Sequence, residues 1–264
     1  MRRIRVATYN IHKGVQGHGP MRRLEIHHLA EAVQQFDADI VCLQEVRKLH
    51  RREALHFLHW PTQAQADFLA PEGYQVVYRS NAITRHGEHG NAMLCRWPVL
   101  GHQHEDISDH RFEQRGFLHA RVDVEGVCVH VLVLHLGLIR ASRVRQLQQV
   151  AGFIGREISA DAPLIVAGDF NDWGTLLSTA LGSVGLRSAT TGLVPTFPSR
   201  VPVLQLDHIY VRGLRVLTQQ VPRGRKWWRM SDHLPLIVDL ALDQTSASQQ
   251  TSAHGRARHS NHHV

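Results

Sequence analysis

Acidic, amide and imidazole side chains stand at the ends of apolar segments throughout this sequence of 264 residues. Five segments with the composition of strands end in such sets, which are Asn10, Glu45, His135, Asp169 with Asn171, and Asp207 with His208. A sixth set, Asp232 with His233, comes just before the last apolar segment. Strands deliver their end residues to the rim of a sheet, where groups from distant parts of a chain can meet in one pocket.

Carboxylate and amide oxygens of this kind suit Mg²⁺ or Mn²⁺, whereas the Cys and His spacings typical of zinc sites are missing from the sequence. Each residue also has a structural interpretation when it is taken alone. Asn10 and Asp169 could form turns, Glu45 could pair with a neighbouring cation, and His135 could be a satisfied core histidine. Capping does not readily explain three separate acid-bearing strand ends, so we interpret the sets together as one catalytic site.

The chemistry that such a site favours is hydrolysis of a phosphodiester. This reaction needs in-line attack by water and neutralisation of charge on the phosphoryl oxygens. A divalent metal supplies Lewis acidity and lowers the pKa of water, a carboxylate positions that water, and His and Asn side chains bind the developing charge.

Hydrophobic periodicity predicts the elements that must position these groups. Helices are expected over 21–36, over 53–69 with a break at Pro61, over 141–158 and over 173–182. Strands are expected at 4–11, 38–46, 74–80, 91–100, 117–124, 127–136, 162–170, 205–211, 214–221 and 234–241. Because helices fall in only some of the connections, the pattern indicates mixed or antiparallel sheets with helices outside.

Eight sequence motifs stand in the order found in the endonuclease/exonuclease/phosphatase superfamily, whose members include DNase I-like nucleases. They are TYNIHKG, LQEV, HGNAMLCRWPV, RGFLHARV, LHLG, AGDFND, LDHIYV and SDHLP. The resemblance covers about residues 3–241, and the sequence is most similar to small bacterial members. It implies an α/β fold, a four-layer α/β sandwich in which two mixed β-sheets lie face to face with helices outside.

The resemblance also implies a role for each site residue. Glu45 corresponds to the main metal-binding carboxylate, Asn10 lies beside the metal and the phosphate, and Asp232 is a second carboxylate on the metal side. Asp169 corresponds to the residue that orients or deprotonates the attacking water, and Asn171 holds the phosphate or that water.

On the side of the phosphate, His135 stands where family members carry a His or Tyr that contacts it. Asp207 corresponds to the acid that orients His233, and His233 donates to a phosphoryl oxygen. Arg115 fits a polar position near the phosphate. His12 departs from the abasic-site endonucleases, which have an acid there, and this argues against a DNA-repair role.

A net charge of +7 and an isoelectric point near 9.9 favour anionic partners. We therefore expect a Mg²⁺-dependent (or Mn²⁺-dependent) phosphodiesterase, with nucleic acid as the first substrate class. The alternatives are a lipid phosphodiesterase similar to sphingomyelinase or phospholipase C, which acts on phospholipid head groups, and a non-catalytic basic module that binds phosphate.

The segment RGRKWWR, residues 223–229, is predicted to form part of the rim of the site because it comes just before Asp232. Its Arg225, Lys226, Trp227 and Trp228 could clamp a nucleic acid by stacking and charge, or contact a membrane at the headgroup level. In the alternative interpretation one Trp packs on the sheet edge and the cations are solvated.

The remaining features concern the setting of the domain. Three cysteines in apolar surroundings indicate reduced thiols, and the basic start has no apolar signal segment, so a cytoplasmic protein is expected. No apolar run approaches the roughly 20 residues of a spanning helix, so any membrane contact is expected to be peripheral to an anionic surface. A catalytic domain over 1–242 and a disordered, His-rich tail over 243–264 are predicted.

Overall fold

Two six-stranded mixed sheets face each other in the computed structural model, which describes residues 2–17, 19–174 and 176–242. The strands, in chain order, are β1 (Arg3–Asn10), β2 (Val15–Gln16), β3 (Arg23–Leu24), β4 (Ile40–His50), β5 (Gln75–Thr84), β6 (Gly87–Cys95), β7 (Val99–Asp106), β8 (Gly116–Val124), β9 (Val127–His135), β10 (Leu164–Asp169), β11 (Arg187–Ser188), β12 (Asp207–Arg212), β13 (Leu214–Gln220) and β14 (Leu236–Leu242). The first sheet has the order β13-β14-β1-β4-β6-β5, and the second has the order β11-β12-β10-β9-β8-β7.

Helices cover the outer faces of the two sheets. They are α1 (Ile26–Phe36), α2 (Arg51–His56), α3 (Gln65–Leu69), α4 (Arg140–Glu157), α5 (Leu176–Gly182) and α6 (Arg225–Met230). One apolar cluster lies between the sheets, a second lies where α1 and α3 pack on the first sheet, and a third lies under α4 and α5 on the second. The predicted four-layer sandwich is therefore confirmed.

Some element boundaries differ from the prediction. Residues 91–100 form the end of β6 and the start of β7, because the turn at Trp97 and Pro98 interrupts the ladder and proline cannot donate to it. The segment 53–69 is two short helices separated at Pro61, and α1 begins at Ile26 instead of residue 21. Helix α6 was not predicted.

Two parallel strand pairs bring the polar sets together. Strand β1 runs parallel to β4 in the first sheet, and β9 runs parallel to β10 in the second. A side chain at position 168 would prevent the second pairing, because a Cβ added to Gly168 would lie 1.9 Å from the carbonyl oxygen of Leu134. All four strands end at the same edge of the sandwich, which becomes the rim of one site.

Cys42 and Cys95 are buried and Cys128 is half-buried, and all three are free thiols. None of the helices in the described residues is long and apolar enough to cross a bilayer. The predicted tail over 243–264 lies outside the described residues.

Candidate active site

The carboxylate of Asp169 is the centre of the site. It is buried at the end of β10, and its Oδ2 atom accepts a 2.9 Å hydrogen bond from Nδ2 of Asn10 at the end of β1. The Nε2 atoms of His135 and His233 lie 3.5 and 3.6 Å from the same oxygen. Side chains from both sheets and from the final loop thus converge on one atom. Burial raises the pKa of Asp169, and the nearby positive charge of His233 opposes that rise.

Behind this centre, Asp207 and His233 form a buried pair. Nδ1 of His233 lies 2.8 Å from Oδ2 of Asp207, which is fully buried at the start of β12. Burial alone would lower the pKa of His233, but the charges of Asp207 and Asp169 outweigh it and raise the pKa to about 10. His233 is therefore an imidazolium at neutral pH and presents Nε2–H as a donor toward Asp169.

Glu45 is turned toward the site by a bulge in β4. The register with β6 shifts between Leu43 and Val46, and Glu45 has a left-handed backbone with φ of 56°. Its Oε2 atom is buried and forms a 2.9 Å ion pair with Nζ of Lys13. Burial alone would raise the pKa of Glu45, but the charge of Lys13 holds it well below the usual range.

Lys13 owes its position to the short helical turn His12–Gly14, in which His12 and Lys13 both have positive φ angles. The carbonyl of Lys13 accepts a 2.8 Å hydrogen bond from Nε2 of Gln65, which fixes the turn against α3. The adjacent His12 places Nδ1 3.2 Å from Oδ1 of Asp232. Two consecutive basic residues therefore face the two carboxylates that the sequence assigned to the metal.

Sequence and structure comparisons identify the family and the fold of this chain. The family model described as the Endonuclease/Exonuclease/phosphatase family matches residues 7–233. The chain belongs to the endonuclease/exonuclease/phosphatase family. It is 37% identical over 246 residues to the uncharacterized protein YbhP of Escherichia coli K12, with 90% of this chain and 96% of YbhP covered.

Two solved structures show the same fold. The endonuclease/exonuclease/phosphatase from Beutenbergia cavernae superposes with a TM-score of 0.72 at 20% identity, covering 92% of this chain and 72% of that one. The human Nocturnin catalytic domain superposes with a TM-score of 0.68 at 20% identity, covering 91% of this chain and 94% of that one. Members of the endonuclease/exonuclease/phosphatase family are hydrolases that include nucleases and phosphatases.

Two groups of side chains at this site could hold a cation. The first is the predicted set of Glu45, Asn10 and Asp232. The buried Oε2 of Glu45, whose present partner is the ammonium of Lys13, is a hard oxygen of the kind that suits a divalent metal. The second, Asp169, Asp207 and His233, offers three ligand atoms within 4.8 Å of one another. In that group Nδ1 of His233 and Oδ2 of Asp207 are already joined by a hydrogen bond.

Asn171 and Arg115 lie around the same centre. The backbone N–H of Asn171 donates to Oδ1 of Asp169 at 3.0 Å, and its Nδ2 donates to the carbonyl of Leu136 at 2.8 Å. Nε of Arg115 donates to that carbonyl at 3.2 Å, and its Nη2 donates to Glu113 at 3.0 Å. Both residues are thus fixed by local hydrogen bonds at the end of β9.

The segment over residues 223–229 does not gather at the site as predicted. Trp227 stacks on Phe36 at a centroid distance of 5.9 Å, on the outer face of the first sheet, and Nζ of Lys226 donates to Gln35 at 2.6 Å. Arg225 is exposed at the start of α6. Trp228 instead lies under the guanidinium of Arg200, at 5.3 Å. Helix α6 thus packs against α1 through Trp227 and Lys226, and the role of this segment in substrate binding stays a prediction.

Two residues near the centre were not among the predicted site residues. Lys13 contacts Glu45, as described above. His89, on β6, has its pKa lowered to about 4, first by burial and then by the charge of Lys13, and the charges of Glu45 and Arg115 also act on it. The motif TYNIHKG contains Lys13 three residues after Asn10, and the motif HGNAMLCRWPV begins at His89, so both residues stand in motifs whose site roles were not assigned.

Proposed function

We propose that this chain is a divalent-metal-dependent hydrolase of phosphodiesters. The observation that supports this most strongly is the convergence of Asn10, His135 and His233 on one oxygen of a buried Asp169, with Glu45 nearby. The charge of Glu45 acts on the pKa of His135, so the two halves of the site are electrostatically connected.

Each residue of this cluster has a role in attack by water. Asp169 accepts a proton from the water, and its raised pKa makes it a better base than an ordinary carboxylate. The imidazolium of His233 donates to a phosphoryl oxygen as negative charge develops there, and Asp207 fixes its orientation. His135, which burial keeps neutral by lowering its pKa, and Asn10 bind the remaining oxygens.

Glu45, with Asn10 and Asp232, would hold Mg²⁺ or Mn²⁺. The metal, when bound, supplies Lewis acidity to the phosphate and lowers the pKa of water. Nζ of Lys13 contacts Glu45 and Nδ1 of His12 contacts Asp232, so these are the groups that a metal must displace or share the site with.

Metal-dependent hydrolysis of bis-p-nitrophenyl phosphate tests this function. EDTA is expected to abolish turnover and Mg²⁺ or Mn²⁺ to restore it. Glu45→Gln is expected to weaken Mn²⁺ binding, measured by calorimetry, while preserving the melting temperature. Glu157→Gln, an exposed position on α4, is the matched control. Full activity of Glu45→Gln at micromolar Mg²⁺ would contradict the assignment.

A further inference from the structure

Large apolar side chains are exposed around the active site. Six of them, each between 63% and 92% exposed, define what we call the apolar rim: Leu55, Leu58, Ile83, Phe112, Leu138 and Trp173. Large apolar groups this exposed to water are ordinary when they are scattered, but a group of them on one surface marks an interaction site.

The rim follows from the topology of the sheets. Strands β4, β5, β7, β9 and β10 all run in the direction that ends at the active-site edge. Ile83 is the second-last residue of β5, and the other five side chains lie in the segments that follow β4, β7, β9 and β10. They therefore occupy the same end of the sandwich as Glu45, His135 and Asp169.

Hydrogen bonds connect the neighbouring segments of the rim. The N–H of Arg51 in α2 donates to the carbonyl of His86 at 2.9 Å, and the N–H of Ile83 donates to Gln114 at 3.1 Å. The N–H of Leu138 then donates to Oε1 of Glu113 at 3.0 Å. These bonds hold the segments as a continuous arc around the site.

Arg143 completes the arc. Its Nη1 donates to the carbonyl of Leu138 at 2.6 Å, while its guanidinium lies 5.6 Å from the ring centre of Trp173. The loop after β9 is in this way joined to the loop after β10.

Exposed arginines alternate with the apolar groups of the rim. Arg111 lies 4.7 Å from the ring centre of Phe112, and four others share these segments: Arg51, Arg52, Arg85 and Arg140. Two carboxylates among them are already paired, since Glu53 contacts Arg22 and Arg47, and Asp109 contacts Arg145. Glu105 and Asp106 at the end of β7 are exposed, and the arginines outnumber them. The surface therefore combines projecting apolar side chains with unneutralised positive charge.

We propose that the apolar rim and its arginines dock the active-site end of this chain onto an anionic phospholipid bilayer. Apolar side chains insert at the boundary between headgroups and acyl chains, and cations beside them attract anionic lipids. Four of the six residues in the rim are aliphatic. Nucleic-acid bases bind by stacking on aromatic side chains, so a mainly aliphatic surface favours lipid as the partner. If the proposed function holds, the substrate class is the headgroup phosphodiester of a phospholipid; this part of the inference rests on that function.

Vesicle co-sedimentation of the full chain tests the docking without any catalysis. The probes are vesicles of phosphatidylglycerol and phosphatidylcholine, vesicles of phosphatidylcholine alone, and a single-stranded oligonucleotide. Wild type is expected to bind the anionic vesicles more tightly than the neutral ones. The double variants Leu55→Ser/Leu58→Ser and Phe112→Ser/Leu138→Ser are each expected to lose about tenfold in that affinity.

The matched control is Leu100→Ser/Leu217→Ser, which removes exposed leucines away from this end of the sandwich, 52% and 37% exposed. It is expected to bind vesicles like wild type. Melting temperatures verify that all variants fold. Absence of binding by wild type, an equal loss in the control, or a loss confined to oligonucleotide binding would each overturn the proposal.

Hydrolysis separates the docking from the proposed function. If wild type binds anionic vesicles but cleaves no small diester with Mg²⁺, the proposed function fails and the docking surface stands. If wild type cleaves the small diester but does not bind vesicles, the docking surface fails alone.

Discussion

Replacing Asp207 with Asn removes a buried charge while retaining an oxygen that can accept from Nδ1 of His233. In the wild type the pKa of His233 is raised to about 10, against 6.5 for an unperturbed histidine, chiefly because Asp207 and Asp169 outweigh the effect of burial. A histidine whose pKa is raised by folding stabilises the folded state fully below the unfolded pKa. That stabilisation is lost as the pH rises through the folded pKa. For a difference of this size it is on the order of 3–5 kcal/mol.

Asp207→Asn is expected to return the pKa of His233 toward 6.5 and so to remove most of this contribution. The free energy of unfolding of the variant should fall below that of wild type by several kcal/mol near pH 6.5. This deficit should shrink steadily as the pH approaches 10, where wild-type His233 also loses its proton.

Urea unfolding of both proteins between pH 6 and 10 measures the deficit. Asp67→Asn, which removes an exposed carboxylate on α3, provides the control, and its difference from wild type should not depend on pH. A deficit for Asp207→Asn that stays constant across this range would refute the assignment of a charged His233.

Three further predictions concern groups outside the catalytic centre. Lys13→Met removes the cation that lies 2.9 Å from Glu45. Calorimetry should show that Mn²⁺ binds roughly fivefold more tightly, or by about 1 kcal/mol. Unchanged or weaker binding would mean that Lys13 does not compete with the metal. Trp227→Ala should lower the free energy of unfolding by about 1–3 kcal/mol, because the indole stacks on Phe36. It should leave kcat on a small diester unchanged. A loss of kcat with unchanged stability would instead support a role of Trp227 in binding the substrate. Ending the chain after Leu242 should preserve both the melting temperature and kcat, and a fall of about 4 °C or more would show that the tail packs on the domain.

Much of the site could be predicted because the chemistry-bearing residues follow continuous apolar strands. A helix lies between β1 and β4 and another between β9 and β10, which favours parallel pairs whose strands end at the same edge. Asn10, His135 and Asp169 meet at that edge. The positions of these groups at strand ends could therefore be predicted from the local sequence alone.

Features that depend on packing between distant segments were harder to predict. The spacing of WW in α6 does not show which tryptophan faces the domain, because that depends on α1 presenting Phe36. The approach of Lys13 to Glu45 depends on a left-handed turn and on a bulge in β4, neither of which leaves a periodic pattern. The apolar rim was missed for a related reason, since its members are isolated residues in separate loops and only the fold brings them to one end.

The central claim is that Asp169 activates water for attack on a phosphodiester. Measuring kcat and KM for bis-p-nitrophenyl phosphate with saturating Mg²⁺, for wild type and Asp169→Asn, tests it most directly. The expected result is a fall in kcat of roughly 10²–10⁴-fold with little change in KM, because a general base acts only on the way to the transition state. An Asp169→Asn variant that kept the wild-type kcat and changed only KM would contradict the claim.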